Sequence, residues 1–156
     1  MSRRPRRPLP LLLLCASLVA GAGAVTAGCS GPRPPDLFVV QRTGSIPGAR
    51  LTLRITDDGG AYCNADKRRH EITSAQVIDA RALTTDLNGI PDKDQVGLAQ
   101  RHLRLAPGTV TTLSYRVRSE KGTVAFSDTS AHQPQQFYEL AKLTRDVARG
   151  ACGLPR

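Results

Sequence analysis

The side chains best equipped for chemistry in this chain are its four cysteines and three histidines. His70, His102 and His132 lie far apart, and no His-x-x-His or Cys-x-x-Cys spacing accompanies them, so no metal-ligand set is written into neighbouring residues. Asp92-Lys93-Asp94-Gln95-Val96-Gly97 begins like a calcium loop, with carboxylates first and third and a glycine sixth. It then places Val96 and Leu103 where oxygen ligands are required. Ser127-Asp128-Thr129-Ser130 sets hydroxyls beside a carboxylate, but without a glycine elbow or an assigned base it reads as a turn or cap leading into the last helix. No glycine-rich phosphate cradle is present. The expectation is a non-enzymatic protein with no catalytic residues, no metal and no cofactor.

The cysteines divide into different fates. Arg3, Arg4, Arg6 and Arg7 precede a run from Leu9 to Val25 that carries no charge, which is the order of an export signal. The cations stay against the anionic inner leaflet while Leu11 to Leu14 enter the bilayer, so the C-terminal side of the segment is translocated. The run ends in Val25-Thr26-Ala27-Gly28-Cys29-Ser30, which resembles the lipobox of bacterial lipoproteins; Thr26 stands where the motif more often has Leu or Val. That resemblance implies that residues 1–28 are removed and that the Cys29 thiolate takes a diacylglycerol, anchoring the chain on the outer face of the cytoplasmic membrane. An uncleaved span from Pro8 to Gly28 and a plain secreted form are the alternatives. Pro10, Gly21 and Gly23 make a poor spanning helix, and the small residues before Cys29 suit a peptidase. Arg3-Arg4 leaves both the Sec and the twin-arginine export routes open.

Removing those arginines takes the formal net charge from +9 to +5. A domain so charged is attracted to an anionic leaflet or wall polymer, although the two signs interleave along the chain. Nucleic acid is not an expected partner: the chain is exported, has no Trp and shows no basic stripe interleaved with aromatics. Cys15 leaves with the signal and Cys29 is lipidated, so Cys63 and Cys152 are the remaining thiols and are expected to form a disulfide.

These groups need a frame. Ser30-Gly31-Pro32-Arg33-Pro34-Pro35 favours extended backbone, and residues 29–36 read as a lipidated tether before one domain, 37–156. Leu37 to Arg42 reads as a strand, Thr43 to Gly48 as a turn, and Leu51, Leu53 and Ile55 alternate with Arg50, Thr52 and Arg54 in a half-buried strand. Asp57-Asp58-Gly59-Gly60 returns the chain into a strand at Ala61 to Asn64. Between Thr73 or Ser74 and Asn88-Gly89, the residues Val77, Ala80, Leu83, Thr84 and Leu87 recur at helical spacing. Ile90 to Thr109 allows a short helix at Gln95 to Gln100 or an edge strand at His102 to Leu105. Leu113, Tyr115 and Val117, then Val124 and Phe126, form a second hairpin about Glu120-Lys121-Gly122. Phe137, Leu140, Ala141, Thr144, Val147 and Ala148 stripe a final helix that starts after Pro134 and ends at Gly150. The fold class expected is α+β: an antiparallel sheet of about four or five strands built from two hairpins, with two helices packed on one face. Its outer face would carry Arg50, Arg54, Arg116 and Arg118.

Two resemblances extend this reading. Phe38-x-Val40-x-Arg42-x-Gly44, Pro47-Gly48-Ala49-Arg50-Leu51, Phe126 to Ser130 and Cys152-Gly153-Leu154-Pro155 look like small uncharacterised lipoproteins of high-GC Gram-positive bacteria, which implies an address and no activity. The Arg42 to Gly48 turn between strands, the following helix, the hairpin ending in Asp128 and the last helix are remotely similar to emfourin, a protein inhibitor of thermolysin-like metallopeptidases. This chain lacks the paired glycines that family carries after the arginine. The resemblance implies a binding module with an extracellular protein partner and an interaction loop of Gly44, Ser45, Ile46, Pro47 and Gly48. The alternative is a small-ligand-binding protein or enzyme with a site near residues 90–109.

Overall fold

Alternation along Asp36–Gly44 (β1) decides the architecture: Phe38, Val40 and Arg42 are buried, while Gln41 and Thr43 are exposed. The computed structural model describes residues 34–154; the export segment, Cys29 and the tether up to residue 33 lie outside the described residues. β1 has a strand on each side. Leu51–Thr56 (β2) pairs with it antiparallel, followed outward by Gly60–Cys63 (β3) and the two-residue edge His70–Glu71 (β4). A helix Ser74–Asn88 (α1) and a two-stranded ribbon, Gly89–Ile90 (β5) with Gln95–Val96 (β6), come next. Leu113–Ser119 (β7) then pairs with the other side of β1, and Gly122–Ser127 (β8) pairs with β7. Gln135–Gly150 (α2) completes the order.

The expected class holds, with a larger sheet: six strands in the order β4-β3-β2-β1-β7-β8, plus the small ribbon. The two expected hairpins are joined through β1, a shared partner that no local pattern in the sequence announces. Two residues of β4 are too few to show a period. The fold also begins slightly earlier than 37, because Asp57 N donates to Pro35 O at 3.0 Å and Asp36 pairs with Thr56.

α1 starts where either Thr73 or Ser74 could cap it, and Thr73 does: its hydroxyl accepts from Gln76 N while the Gln76 side chain accepts from Thr73 N. Such a reciprocal cap satisfies two otherwise orphaned donors. Ala80, Leu83 and Leu87 are buried, and Val77 and Thr84 half-buried. α2 buries Phe137, Leu140, Ala141, Leu143, Thr144, Val147 and Ala148. The buried apolar residues of both helices share one core with Phe38, Val40, Leu51, Leu53, Ile55, Val117 and Val124, so both helices cover the same sheet face. Tyr115 stacks on Phe126 at 5.0 Å and Phe126 on Phe137 at 4.3 Å, which ties β7 and β8 to α2 through aromatic rings. Burying each such ring stabilises the fold by about 1.5–3 kcal/mol.

The segment after β5 differs from both alternatives expected of it. Gln95 and Val96 are in the ribbon and Leu98 to His102 are turns, so no helix forms at Gln95 to Gln100. The cause is close approach: a Cβ on Gly97 would lie 2.3 Å from Leu87 O, and Leu98 N and Ala99 N instead donate to Asp86 O and Leu87 O. The edge strand at His102 to Leu105 shrinks to a single parallel bridge, Arg104 to Ala125. Among the described residues no helix is long and apolar enough to cross a membrane.

Candidate functional site

The loop Gly44, Ser45, Ile46, Pro47, Gly48 joins β1 to β2 and is fixed from beneath. Period two places Arg42 on the buried face of β1, where it is 2% exposed. Its guanidinium donates from Nε to Ala49 O and from Nη2 to Gly48 O, each at 2.9 Å. No carboxylate among the described residues pairs with it. Desolvation pushes its pKa below the ordinary arginine value, the Tyr115 hydroxyl opposes that shift, and Arg145 adds to it. An arginine cannot shed its proton under such conditions, so the loop carbonyls must carry the charge.

A second series of bonds reaches the loop from β7. Ser45 N donates to Thr112 O at 3.1 Å, and Gly44 packs so closely there that a Cβ would sit 2.0 Å from that oxygen. Thr112 is held in turn by Asp128, whose carboxylate accepts from Thr112 N, the Thr112 hydroxyl and, at 3.0 Å, Leu113 N. Within the loop, Ala49 N donates to Ile46 O at 3.1 Å and Gly48 takes φ 73°, a region that favours glycine. Ile46, a large aliphatic, is left 37% exposed on this tied-down turn.

Cys63 and Cys152 form a disulfide, with Cα atoms 5.9 Å apart. Cys63 pairs with Leu53, two residues along β2 from Leu51, which itself pairs with Arg42. The bond therefore ties the chain just after α2 to the same end of the sheet that carries the loop.

The other sequence candidates are not gathered into a site. His102 packs beside Gly122 at the start of β8, while Asp128 and His132 follow its Ser127 end, so His102 does not meet either. Ser127-Asp128-Thr129-Ser130 is a turn: Ser130 Oγ accepts from Ser127 N at 2.9 Å, and Thr111, Ser127 and Thr129 share hydroxyl bonds. No three His, Cys, Asp or Glu side chains converge as metal ligands among the described residues. Leu105 and Pro107 do wall a recess of about 370 Å³ on the outer sheet face, with Gln41, Ser114 and Arg116 across from them.

Reading the residues missed Arg42, Thr112 and Asp128 as the supports of the loop. Arg42 had a signal, since it falls in step with Phe38 and Val40 on the buried side of a strand. No family model, no curated protein and no solved structure matches the chain.

Proposed function

We propose that this chain is an exported lipoprotein, anchored through a diacylglyceryl group on Cys29 at the outer face of the cytoplasmic membrane. Its domain is a non-enzymatic module that binds an extracellular protein through Gly44, Ser45, Ile46, Pro47 and Gly48. The observation that carries the reading is the buried Arg42 bonded to Gly48 O and Ala49 O beneath an exposed Ile46. A loop ordered before binding loses little conformational entropy on association, and an exposed aliphatic residue on it is the kind of anchor a partner's pocket takes up. The finer reading is a peptidase-inhibitor-like module.

The test is titration of a thermolysin-like metallopeptidase with the purified mature chain, beside capture from culture supernatant on the immobilised chain. Inhibition that weakens about tenfold in Ile46→Ala, with unchanged urea stability, supports the inhibitor reading. The absence of both inhibition and a captured partner whose retention depends on Ile46 would contradict the module.

A second reading, a small-ligand protein or enzyme with a site near residues 90–109, is favoured by one observation: the recess beside Leu105 and Pro107 falls within the size range of small-ligand pockets. Its lining contains no His, Cys, Asp or Glu. Ligand-induced shifts confined to Leu105, Pro107 and Ser114 would bring this reading forward.

A further inference from the structure

The outer face of the sheet gathers cations. Cross-strand partners share a face. Val39 pairs with Arg54 on β2 and with Arg118 on β7, and Gln41 pairs with Thr52 and Arg116. Because Phe38, Val40 and Arg42 point into the core, Arg54, Arg116 and Arg118 stand together on the opposite, outer face. Arg50 is exposed, precedes the first residue of β2 and has no cross-strand partner, and Arg104 joins the face at the β8 edge through its bridge to Ala125. Arg54 lies 4.0 Å over the Tyr62 ring and 3.2 Å from Asp36. Arg104, Arg116 and Arg118 are exposed and have no ion pair among the described residues. The helix layer is mixed in sign: Asp79, Glu139, Lys142 and Asp146 line a groove between α1 and α2, and Asp146 is ion-paired with Lys142 and Arg149.

We propose that the outer sheet face docks on anionic lipid headgroups, holding the domain sheet-down against the membrane; the inference rests on the lipoprotein reading for its setting. Charge complementarity is one support, since Arg104, Arg116 and Arg118 present cations without ion-pair partners among the described residues, while the charges of the helix layer are of both signs. Tether reach is the other. Residues 29–35 span at most about 25 Å when fully extended. Arg54 and Arg118 flank β1 close to the point where that tether joins it, at Asp36. The headgroups are thus never far from the face that attracts them. Arg116 also borders the recess walled by Leu105 and Pro107, which can admit a phosphate headgroup.

The experiment is co-sedimentation of residues 29–156 carrying Cys29→Ser, a chain that contains the whole core and the disulfide, with vesicles of phosphatidylcholine alone or with phosphatidylglycerol added. Binding is expected only with phosphatidylglycerol, and it declines with added salt. Each arginine at the surface is worth about fivefold in affinity, so Arg116→Gln with Arg118→Gln weakens binding about 30-fold. The charge-matched pair Lys142→Gln with Arg145→Gln, on α2, leaves it within about twofold. An equal loss in both pairs would show attraction by net charge alone and overturn the proposal. So would binding to a soluble acidic polymer or to another protein copy without binding to vesicles. No lipid is attached in this assay, so its failure is separate from failure of the Cys29 anchor, which is read by mass.

Discussion

Arg42 and Tyr115 face one another across β1 and β7, each 2% exposed, yet the guanidinium is bonded to the Gly48 and Ala49 carbonyls and the Tyr115 hydroxyl has no hydrogen-bond partner among the described residues. One polar group of the pair is satisfied and the other is not. Burying a hydroxyl without a partner costs about 1–3 kcal/mol. Tyr115→Phe keeps the stacking on Phe126 and removes that cost, so the variant is expected to be more stable by about 1 kcal/mol in urea unfolding. A loss of stability would show that the hydroxyl is bonded.

Arg42→Met leaves the Gly48 and Ala49 carbonyls without their donor. The expected loss is about 1–3 kcal/mol, together with faster proteolysis at Ser45 to Gly48. Arg42→Lys should recover less than half of it, because an ammonium cannot present two forked donors to adjacent carbonyls.

Asp128 acts on the loop through Thr112. Asp128→Ala is expected to destabilise the domain by about 1–2 kcal/mol and to speed amide exchange at Ser45. Asp128→Asn, which keeps one acceptor oxygen, should show a smaller change in both.

The disulfide closes a stretch with sequence separation 89. Chain-entropy arithmetic gives about 4–5 kcal/mol for such a closure, and real bridges often deliver less. Reduction, or Cys63→Ala with Cys152→Ala, should therefore lower the urea midpoint by an amount equivalent to about 2–4 kcal/mol. An unchanged midpoint would mean that the bond is not formed in solution.

Burial holds the Asp86 carboxyl above its ordinary pKa, and Glu139 adds to the shift. The native state then binds this proton more readily than the unfolded chain. Ionised Asp86 therefore costs stability above its folded pKa, and the cost disappears as pH falls toward the unfolded value of about 3.9. Asp86→Asn should be more stable than the parent at pH 7, with the gap closing near pH 4 in paired urea titrations. Asp58, held low first by the Thr56 hydroxyl, and Asp146, held low by Lys142 and Arg149, act in the opposite sense. Their stabilisation is present at neutral pH and is lost as pH falls through their lowered values.

The elements whose information is local were legible. Strict alternation at Leu51 to Ile55 and at Leu113 to Val117, the Asp57 to Gly60 turn, and a helix start at Thr73 or Ser74 all follow from neighbours in the chain, whereas the Gln76 side chain that decides for Thr73 carried no signal in that pattern. The order of the sheet was not, because β1 finds β7 about 70 residues later and nothing local encodes that pairing. Gly97 and Ala99 depend on carbonyls of α1 rather than on their own neighbours, which is why the Gln95 to Gln100 helix failed. The candidate loop was legible as a turn. Its supports were not, since the bonds from Arg42 bridge the turn itself and those from Asp128 arrive from the far end of β8.

The central claim, a binding module held at the membrane by Cys29, is tested most directly by intact mass measurement of the protein extracted from membranes of a Gram-positive host. The predicted result is a chain beginning at Cys29 and carrying a diacylglyceryl adduct, with Cys29→Ala accumulating as the uncut precursor. A membrane-bound chain that still carries residues 1–28, or a chain cut without any lipid on Cys29, would contradict it.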